Sequence, residues 1–146
     1  MALDYARYLR AQDPVWTYVV AELTLGVKQT HWMWFVFPQL RGLGTSEMSQ
    51  FFGLESLADA RDYCAHPMLC ERLETACSLV LGHSDKSVET IFGKTDAQKL
   101  RSSMTLFAAT PAFADCASEV LDTFFEGKPC PLTWPRLTKT TDVVAE

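Results

Sequence analysis

The sequence lacks an excess of positive charge, because 13 lysines and arginines stand against 18 aspartates and glutamates, for a formal net charge of −5. A protein that binds nucleic acid generally needs a basic face to neutralise phosphates. The composition therefore excludes a general nucleic-acid binder, although it leaves room for one small basic pocket. Hydrophobic residues make up 48% of the 146 residues, which fits one globular domain with one core.

Long hydrophobic runs are missing too. The longest, HWMWFVFP at residues 31–38, is far shorter than the roughly 18 residues that a membrane helix needs. The first residues, MALDYARYLRAQDP, are charged and have no apolar signal-peptide core. We therefore expect a cytoplasmic protein without membrane association. Its five cysteines are odd in number and show no CxxC spacing, so we read them as reduced thiols.

Motifs of several enzyme and cofactor classes are also absent. The sequence contains no GxGxxG after a strand, no GxxxxGK[ST] and no GxSxG. Cys64, His66 and Cys70 are close in sequence, but Pro67 interrupts the helix between them and a fourth ligand is missing. We predict no metal site. The sequence identifies neither a cofactor nor a reaction, so it leaves open whether the protein is an enzyme.

Helical patterns dominate what is present. Residues 4–11 favour a first helix or turn, and Asp13 followed by Pro14 predicts the start of a second helix. Gly26 predicts the end of that helix, in a left-handed conformation. Further short helices are predicted within residues 46–53, 56–65, 67–82 and 87–93. No convincing pair of hairpin strands is visible, so we predict an all-α fold, with a small sheet as the alternative.

Two more helices are predicted in the last third of the chain. Thr95 and Gln98 match a capping box. The apolar face behind it consists of Ala97, Leu100, Met104, Phe107 and Ala108. Thr110 and Pro111 predict the start of the last helix, which Gly127 ends. We therefore assign residues 1–127 to a single helical domain and residues 128–146 to a partly ordered C-terminal tail.

The segment KQTHWMWFVFPQLRGLG, residues 28–44, is unusually rich in aromatic side chains. Trp32, Trp34 and their phenylalanine neighbours can each bury roughly 150–250 Å², so in a small domain most of them should lie in the core. The alternative is that one indole lines a cleft and stacks on a flat ligand such as a nucleobase. An isolated strand or a buried helical turn would both fit the segment, and Pro38 prevents a helix from continuing through it.

This aromatic segment, together with IFG and the later KLRSSMTLF, resembles the uncharacterised bacterial family known as domain of unknown function 1810. The resemblance covers the chain from about Tyr5 to Gly127. It implies a compact single-domain bundle, here of about six to seven short helices, around a central helix. It implies no established activity. The tail beyond about residue 128 departs from the usual family ending, so we assign it no role.

Four cations flank the two resembling blocks, and they would form a local anion site if the blocks met in space. We predict a ligand-binding site formed by Lys28, His31, Trp32, Trp34, Gln39, Arg41, Lys99, Arg101, Ser102 and Ser103. His31 is the weak candidate for an acid or base, with a purely structural histidine as the alternative. Ser103 could instead point inward and bond a backbone carbonyl.

Two functions are compatible with these observations. In the first, a pocket between the HWMWFVFPQLRG segment and the KLRSSM helix binds a small anionic ligand, such as a nucleotide or an ADP-ribose-like molecule. In the second, the protein is a non-catalytic protein-interaction or self-association module whose aromatic segment is partly exposed. The first is favoured because cations and serines surround the aromatic segment, whereas the cores of protein interfaces are depleted of lysine. The chain could be a monomer or a homodimer.

Overall fold

A computed structural model describes residues 3–137, and its architecture is all-α, as predicted. The named helices are α1 (Tyr5–Gln12), α2 (Trp16–Leu25), α3 (Met33–Val36), α4 (Glu47–Phe52), α5 (Leu57–Ala65), α6 (Pro67–Leu81), α7 (Val88–Ala108) and α8 (Ala114–Phe125). A further helical turn begins at Trp134. Within the described part of the chain, the small sheet considered as an alternative is reduced to one isolated bridge between Leu40 and Leu54.

The prolines near two helix starts lie in turns rather than in the helices. The second helix begins at Trp16, with Val15 as its N-cap, and not at Pro14. Asp13 therefore does not cap this helix, and its carboxylate pairs with Arg72 at 2.8 Å. The last helix likewise begins at Ala114, three residues after Pro111. In both places the predicted start is too early because the proline occupies the turn that precedes the helix.

The aromatic segment forms a buried helical turn, not a strand. Its α3 helix lasts only four residues, and Phe37 after it has left the helical conformation, as expected before Pro38. Beyond the proline the chain runs beside residue 54: the Leu54 N–H donates to the Gln39 carbonyl at 2.9 Å, and the Arg41 N–H donates to the Leu54 carbonyl at 2.8 Å. These bonds hold the loop that follows α3 against the start of α5.

Helix α6 follows its predicted pattern closely. Its predicted apolar stripe, Leu69, Leu73, Ala76, Cys77 and Val80, is buried throughout. Pro67 occupies the first turn, where its missing N–H is not needed. His66 caps the helix, because its Nδ1 accepts the N–H groups of Met68 and Leu69 at 3.2 and 3.4 Å. This contact gives the histidine a structural role at the start of α6.

Helix α7 packs mainly against α8, and every residue from Ser102 to Phe107 is buried. The side chain that caps it is Ser87, whose hydroxyl accepts the Thr90 N–H at 3.1 Å. Gly93 has non-helical angles (φ 80°, ψ 164°) and separates a short first piece from a long second piece, so the two helices predicted within residues 87–93 and from Thr95 onwards are both present. The second piece begins after Gly93, close to the predicted cap at Thr95. Because φ is positive at Gly93, glycine is the residue that tolerates this kink with least strain.

The segment after α8 packs back onto the second piece of α7. The Cys130 N–H donates to Thr105 Oγ1 at 2.8 Å, and Arg101 Nε donates to the Lys128 carbonyl at 2.9 Å. Leu137 is buried in the core. Residues 138–146 of the predicted tail lie outside the described residues. Residues 130–132 of this segment line the cavity described next.

Candidate functional site

A cavity of about 640 Å³ lies where three parts of the chain meet. One wall is the loop after α3 together with the first turn of α4, within residues 39–49. The second wall is α7, from Val88 to Ser102, and the third consists of Phe125 and residues 130–132. A volume of this size is typical of small-molecule sites. The aromatic segment and the KLRSSM helix were predicted to enclose a pocket between them. In the structure, only the end of the aromatic segment, from Gln39 onwards, lines the cavity together with that helix.

Positive charge predominates around this cavity. Lys94, Lys99 and Arg101 line it, and Glu89 is the carboxylate on the same wall. Lys99 also contacts Asp96 at 3.4 Å, while Arg101 is held at the Lys128 carbonyl. In a chain with net charge −5, three cations within about two turns of one helix make a local field that favours an anion.

Four of the predicted site residues line the cavity: Gln39, Lys99, Arg101 and Ser102. Gln39 is almost fully buried, at 9% exposure, so its amide belongs to the wall and not to the outer surface. Gly44 stands beside it, and a Cβ on this glycine would come within 3.6 Å of Gln39 Nε2 and within 2.5 Å of Ser49 Oγ. The glycine therefore allows the two polar side chains of this wall to lie close to the loop.

Lys28, His31 and Trp34 belong to a neighbouring surface and are not among the residues that line the cavity. Lys28 Nζ pairs with Asp96 at 2.8 Å, and Asp96 also contacts Lys99. The Lys99 ammonium lies 5.8 Å from the ring centre of Trp34, and the exposed His31 ring lies 6.5 Å from that indole. Asp96 thus links this surface to the cavity cations.

Trp32 is fully buried, and its indole N–H donates to Glu22 Oε1 at 3.0 Å. The same carboxylate accepts the Gln29 N–H at 2.7 Å, the Thr30 N–H at 3.0 Å and the Thr30 hydroxyl at 2.6 Å. Burial by itself raises the pKa of Glu22, but these hydrogen bonds outweigh it and lower the pKa below its ordinary value. We call Glu22 and its donors the Glu22 cluster; it fixes the start of the aromatic segment from inside.

Arg41 also serves the local fold. Its guanidinium donates to the carbonyls of Gln50 and Gly53 at 2.8 and 3.2 Å and pairs with Glu55. Its own carbonyl accepts a hydrogen bond from Arg136 at 2.7 Å. Arg41 is not among the residues that line the cavity. It holds the loop after α3 in place and so shapes the cavity without facing it.

The two adjacent serines of the KLRSSM helix point in different directions. Ser103 is fully buried, and its hydroxyl has no hydrogen-bond partner among the described residues, so the predicted bond to a backbone carbonyl is not formed. Ser102 lies on the cavity wall, and its hydroxyl donates to Cys130 Sγ at 3.1 Å. A rotation of about 100° per residue separates neighbouring side chains on a helix, which accounts for the different surroundings.

Cys130 is the cavity residue that the sequence gives least reason to expect. Burial raises the pKa of its thiol, but the hydrogen bond from the Ser102 hydroxyl, together with the nearby Thr133 hydroxyl and the backbone N–H groups of Leu132 and Thr133, outweighs burial and lowers the pKa. The Thr133 hydroxyl is buried without a hydrogen bond of good geometry, so its effect comes from its proximity to the sulfur. The proline after Cys130, at the start of a turn, is the only local signal in the sequence.

Neither a metal centre nor a transmembrane helix is apparent in the described region. Residues 3–137 contain no group of three or more histidine, cysteine, aspartate or glutamate side chains arranged to hold a metal ion. None of the helices in the same range combines the length and the apolar character needed to cross a bilayer. The polar groups that line the cavity are three cations, several hydroxyls, two amides, one carboxylate and one thiol.

Comparison with known proteins gives a family and a close structural relative. A family model described as "Protein of unknown function (DUF1810)" matches residues 2–137. The conserved hypothetical protein Rv1873 from Mycobacterium tuberculosis has a crystal structure similar to this chain, with a TM-score of 0.90 and 42% sequence identity. The alignment covers 92% of this chain and 96% of that chain. No curated protein matches. The family match runs past Gly127, so the segment that carries Cys130 belongs to the family domain.

Proposed function

The chain belongs to the DUF1810 family, and we propose that it binds a small anionic ligand, a nucleotide or an ADP-ribose-like molecule, in the cavity between the end of the aromatic segment and helix α7. The observation that carries this proposal is the convergence of Lys94, Lys99 and Arg101 on one cavity wall. Phosphate groups are the small-molecule anions that such a group of cations binds best, since each cation can donate charge-assisted hydrogen bonds.

The remaining wall residues suit the rest of such a ligand. The buried amide of Gln39 offers both a donor and an acceptor, which matches the edge of a base or the hydroxyls of a sugar. Phe125 lines the cavity and provides an apolar surface against which a flat ring can pack. A few directed polar groups within a partly apolar cavity are what ligand sites of this size usually contain.

The alternative, an interaction module built on the aromatic segment, has less support. Trp32, Phe35 and Phe37 are buried, so these side chains are occupied by the core and not offered to a partner. Their burial favours the cavity as the place where this protein meets another molecule.

Calorimetric titration of the purified chain with ADP-ribose, AMP and inorganic phosphate tests the proposal. We expect at least one of the organic ligands to bind, and Lys94→Glu to weaken that binding roughly 10- to 100-fold, the effect of losing one charge-assisted contact. Lys94 is exposed, so reversing its charge should leave the fold intact. Arg10→Glu on α1 is the matched control, because it changes the net charge by the same amount away from the cavity.

Two results would contradict the proposal. One is the absence of heat with all three ligands at millimolar concentration. The other is a loss of affinity that is equal in Lys94→Glu and Arg10→Glu, because an equal loss would reflect net charge and not the cavity.

A further inference from the structure

We propose that Cys130 is a thiol-modification site, at which the sulfur on the cavity wall takes up half of a small anionic disulfide and forms a mixed disulfide. This inference uses the same cavity cations as the proposed function, but it concerns a covalent ligand of different chemistry. It rests on four features of the described residues: the access to the sulfur, the donors around it, the cations near it and the contrast with the other thiols.

Cys130 belongs to the cavity wall although the residue is buried. It is 7% exposed and lines the cavity of about 640 Å³ together with Pro131 and Leu132. Its backbone is fixed, since the N–H donates to Thr105 Oγ1 at 2.8 Å and the carbonyl accepts the Trp134 N–H at 3.0 Å. A reagent small enough to enter the cavity therefore meets a sulfur held in one position.

Hydrogen-bond donors surround this sulfur. Ser102 Oγ donates to it at 3.1 Å. The Thr133 hydroxyl is fully buried and has no hydrogen-bond partner among the described residues, so it is an unused donor close to the sulfur. A thiolate can accept this unused donor together with the others. The result is a lowered thiol pKa despite burial, and the thiolate is the nucleophile in thiol–disulfide exchange.

The charges near Cys130 select the reagent. Lys94, Lys99 and Arg101 line the same cavity, so a disulfide that carries carboxylates should be drawn towards the sulfur, and one that carries ammonium groups should be repelled. The reaction is balanced by the disulfide itself. The Cys130 thiol loses its proton to solvent, and the thiolate attacks one sulfur of R–S–S–R. A Cys130–S–S–R bond forms while the original S–S bond breaks, and the departing R–S⁻ takes a proton from solvent. The cysteine is thereby oxidised and the released thiol is reduced.

The other thiols provide an internal comparison. Burial raises the pKa of Cys64 to about 11 and also raises the pKa values of Cys70 and Cys77. Cys116 is half-buried, and the hydrogen bond from Cys77 lowers its pKa. The charged groups that act on Cys116 are the carboxylates of Glu74 and Glu119. Cys116 is therefore the natural competitor, in surroundings of opposite charge.

The test exposes the reduced full-length chain to either glutathione disulfide, which is anionic, or cystamine, which is cationic, and follows each cysteine by peptide mass spectrometry. With glutathione disulfide we expect Cys130 to be modified at least tenfold faster than Cys116. With cystamine we expect this ratio to fall at least tenfold. Lys94→Glu should reduce the ratio for glutathione disulfide, whereas Arg10→Glu should leave it unchanged.

Two further variants separate chemistry from folding. Ser102→Ala and Thr133→Val each remove one donor to the sulfur and should slow the modification of Cys130 severalfold at pH 7, with unchanged circular dichroism and an unchanged rate at Cys116. If either variant unfolds, the rates in the wild-type chain with the two reagents still decide the question.

The proposal is overturned if Cys130 reacts only after denaturation, or if the two reagents give the same ratio of Cys130 to Cys116. Its failure can be told apart from failure of the proposed function, because the latter is measured by calorimetry on the reduced wild-type chain with ligands that contain no disulfide.

Discussion

The Glu22 cluster and the turn at residues 130–133 that carries Cys130 are built from the same kinds of group. Glu22 and Cys130 are equally buried, yet only Cys130 lines the cavity. Glu22 accepts two backbone N–H groups, one hydroxyl and one indole N–H. Cys130 is surrounded by two backbone N–H groups and two hydroxyls. In both places these donors outweigh burial and lower the pKa of the acidic group.

The surroundings decide what each arrangement does. The donors of Glu22 come from residues 29–32, so the carboxylate is consumed in fixing the start of the aromatic segment. Cys130 and its donor Ser102 line the cavity, whereas Glu22 does not. An acidic group whose donors belong to one short segment away from the cavity stabilises the fold, whereas one on the cavity wall is placed where a ligand would bind.

The largest test of this contrast is Trp32→Ala. Removing a fully buried indole should lower the free energy of unfolding by roughly 3–5 kcal/mol, from the lost burial and the resulting cavity. Trp134→Ala is the matched control, because Trp134 is 53% exposed, and it should change stability by less than about 0.5 kcal/mol. Urea unfolding measures both. A small decrease in the unfolding free energy of Trp32→Ala would show that the indole is not an essential part of the core.

Glu22→Ala should be nearly as damaging. It leaves four donors without their acceptor, including the buried indole N–H, and we expect a loss of roughly 2–4 kcal/mol. Glu71→Ala on α6 is the control, since Glu71 is exposed; its effect should be within about 0.5 kcal/mol. If Glu22→Ala and Glu71→Ala lowered the unfolding free energy equally, the hydrogen bonds of Glu22 would not be important for stability.

The pH dependence of stability should carry the signature of Glu22. Because its pKa is lower in the folded than in the unfolded chain, its carboxylate stabilises the fold fully above the unfolded value of about 4.5 and loses this effect as the pH falls through the folded value. The difference in unfolding free energy between the wild type and Glu22→Gln should therefore shrink between about pH 6 and pH 3. A difference that stays constant over this interval would mean that Glu22 has the same pKa in both states.

The smallest effect is expected for Cys130→Ala. The cavity admits water, which can replace the sulfur as acceptor for Ser102, so the loss of stability should be about 1 kcal/mol or less. Thermal unfolding of this variant beside Cys77→Ala, which empties a fully buried position on α6, sharpens the comparison. If Cys130→Ala were as destabilising as Glu22→Ala, the thiol would be a structural group like the carboxylate.

Periodicity and end signals predict the helices well where each helix buries one continuous face. The stripe on α6 and its boundaries at Pro67 and Gly82 are examples. The starts of α2 and α8 are less predictable, because a proline is equally compatible with the first turn of a helix and with the turn before it. Sequence alone also cannot tell that His66 serves as a cap, since that depends on its side-chain rotamer.

The candidate site is predictable only in part. Of the residues predicted to form a site, Gln39, Lys99, Arg101 and Ser102 line the cavity. They do so because the two segments that carry them pack near each other in the fold. Lys28 and Arg41 carry the same charge as the wall cations, but Asp96 and Glu55 engage them. The sequence analysis could not identify Lys94 and Cys130 as cavity residues, because the residues that surround them in the fold are distant in sequence.

What the sequence determined by itself is the helical class, the membership of one family and the burial of the aromatic segment, since these depend on periodicity, composition and apolar area. What only the tertiary structure decided is which polar groups face a cavity and which are used up inside the fold. The physical reason is that the reactivity of a charged group or a thiol depends on its partners. The partners of Glu22 and Cys130 come from backbone turns and from other helices, and no local sequence pattern predicts where those elements lie.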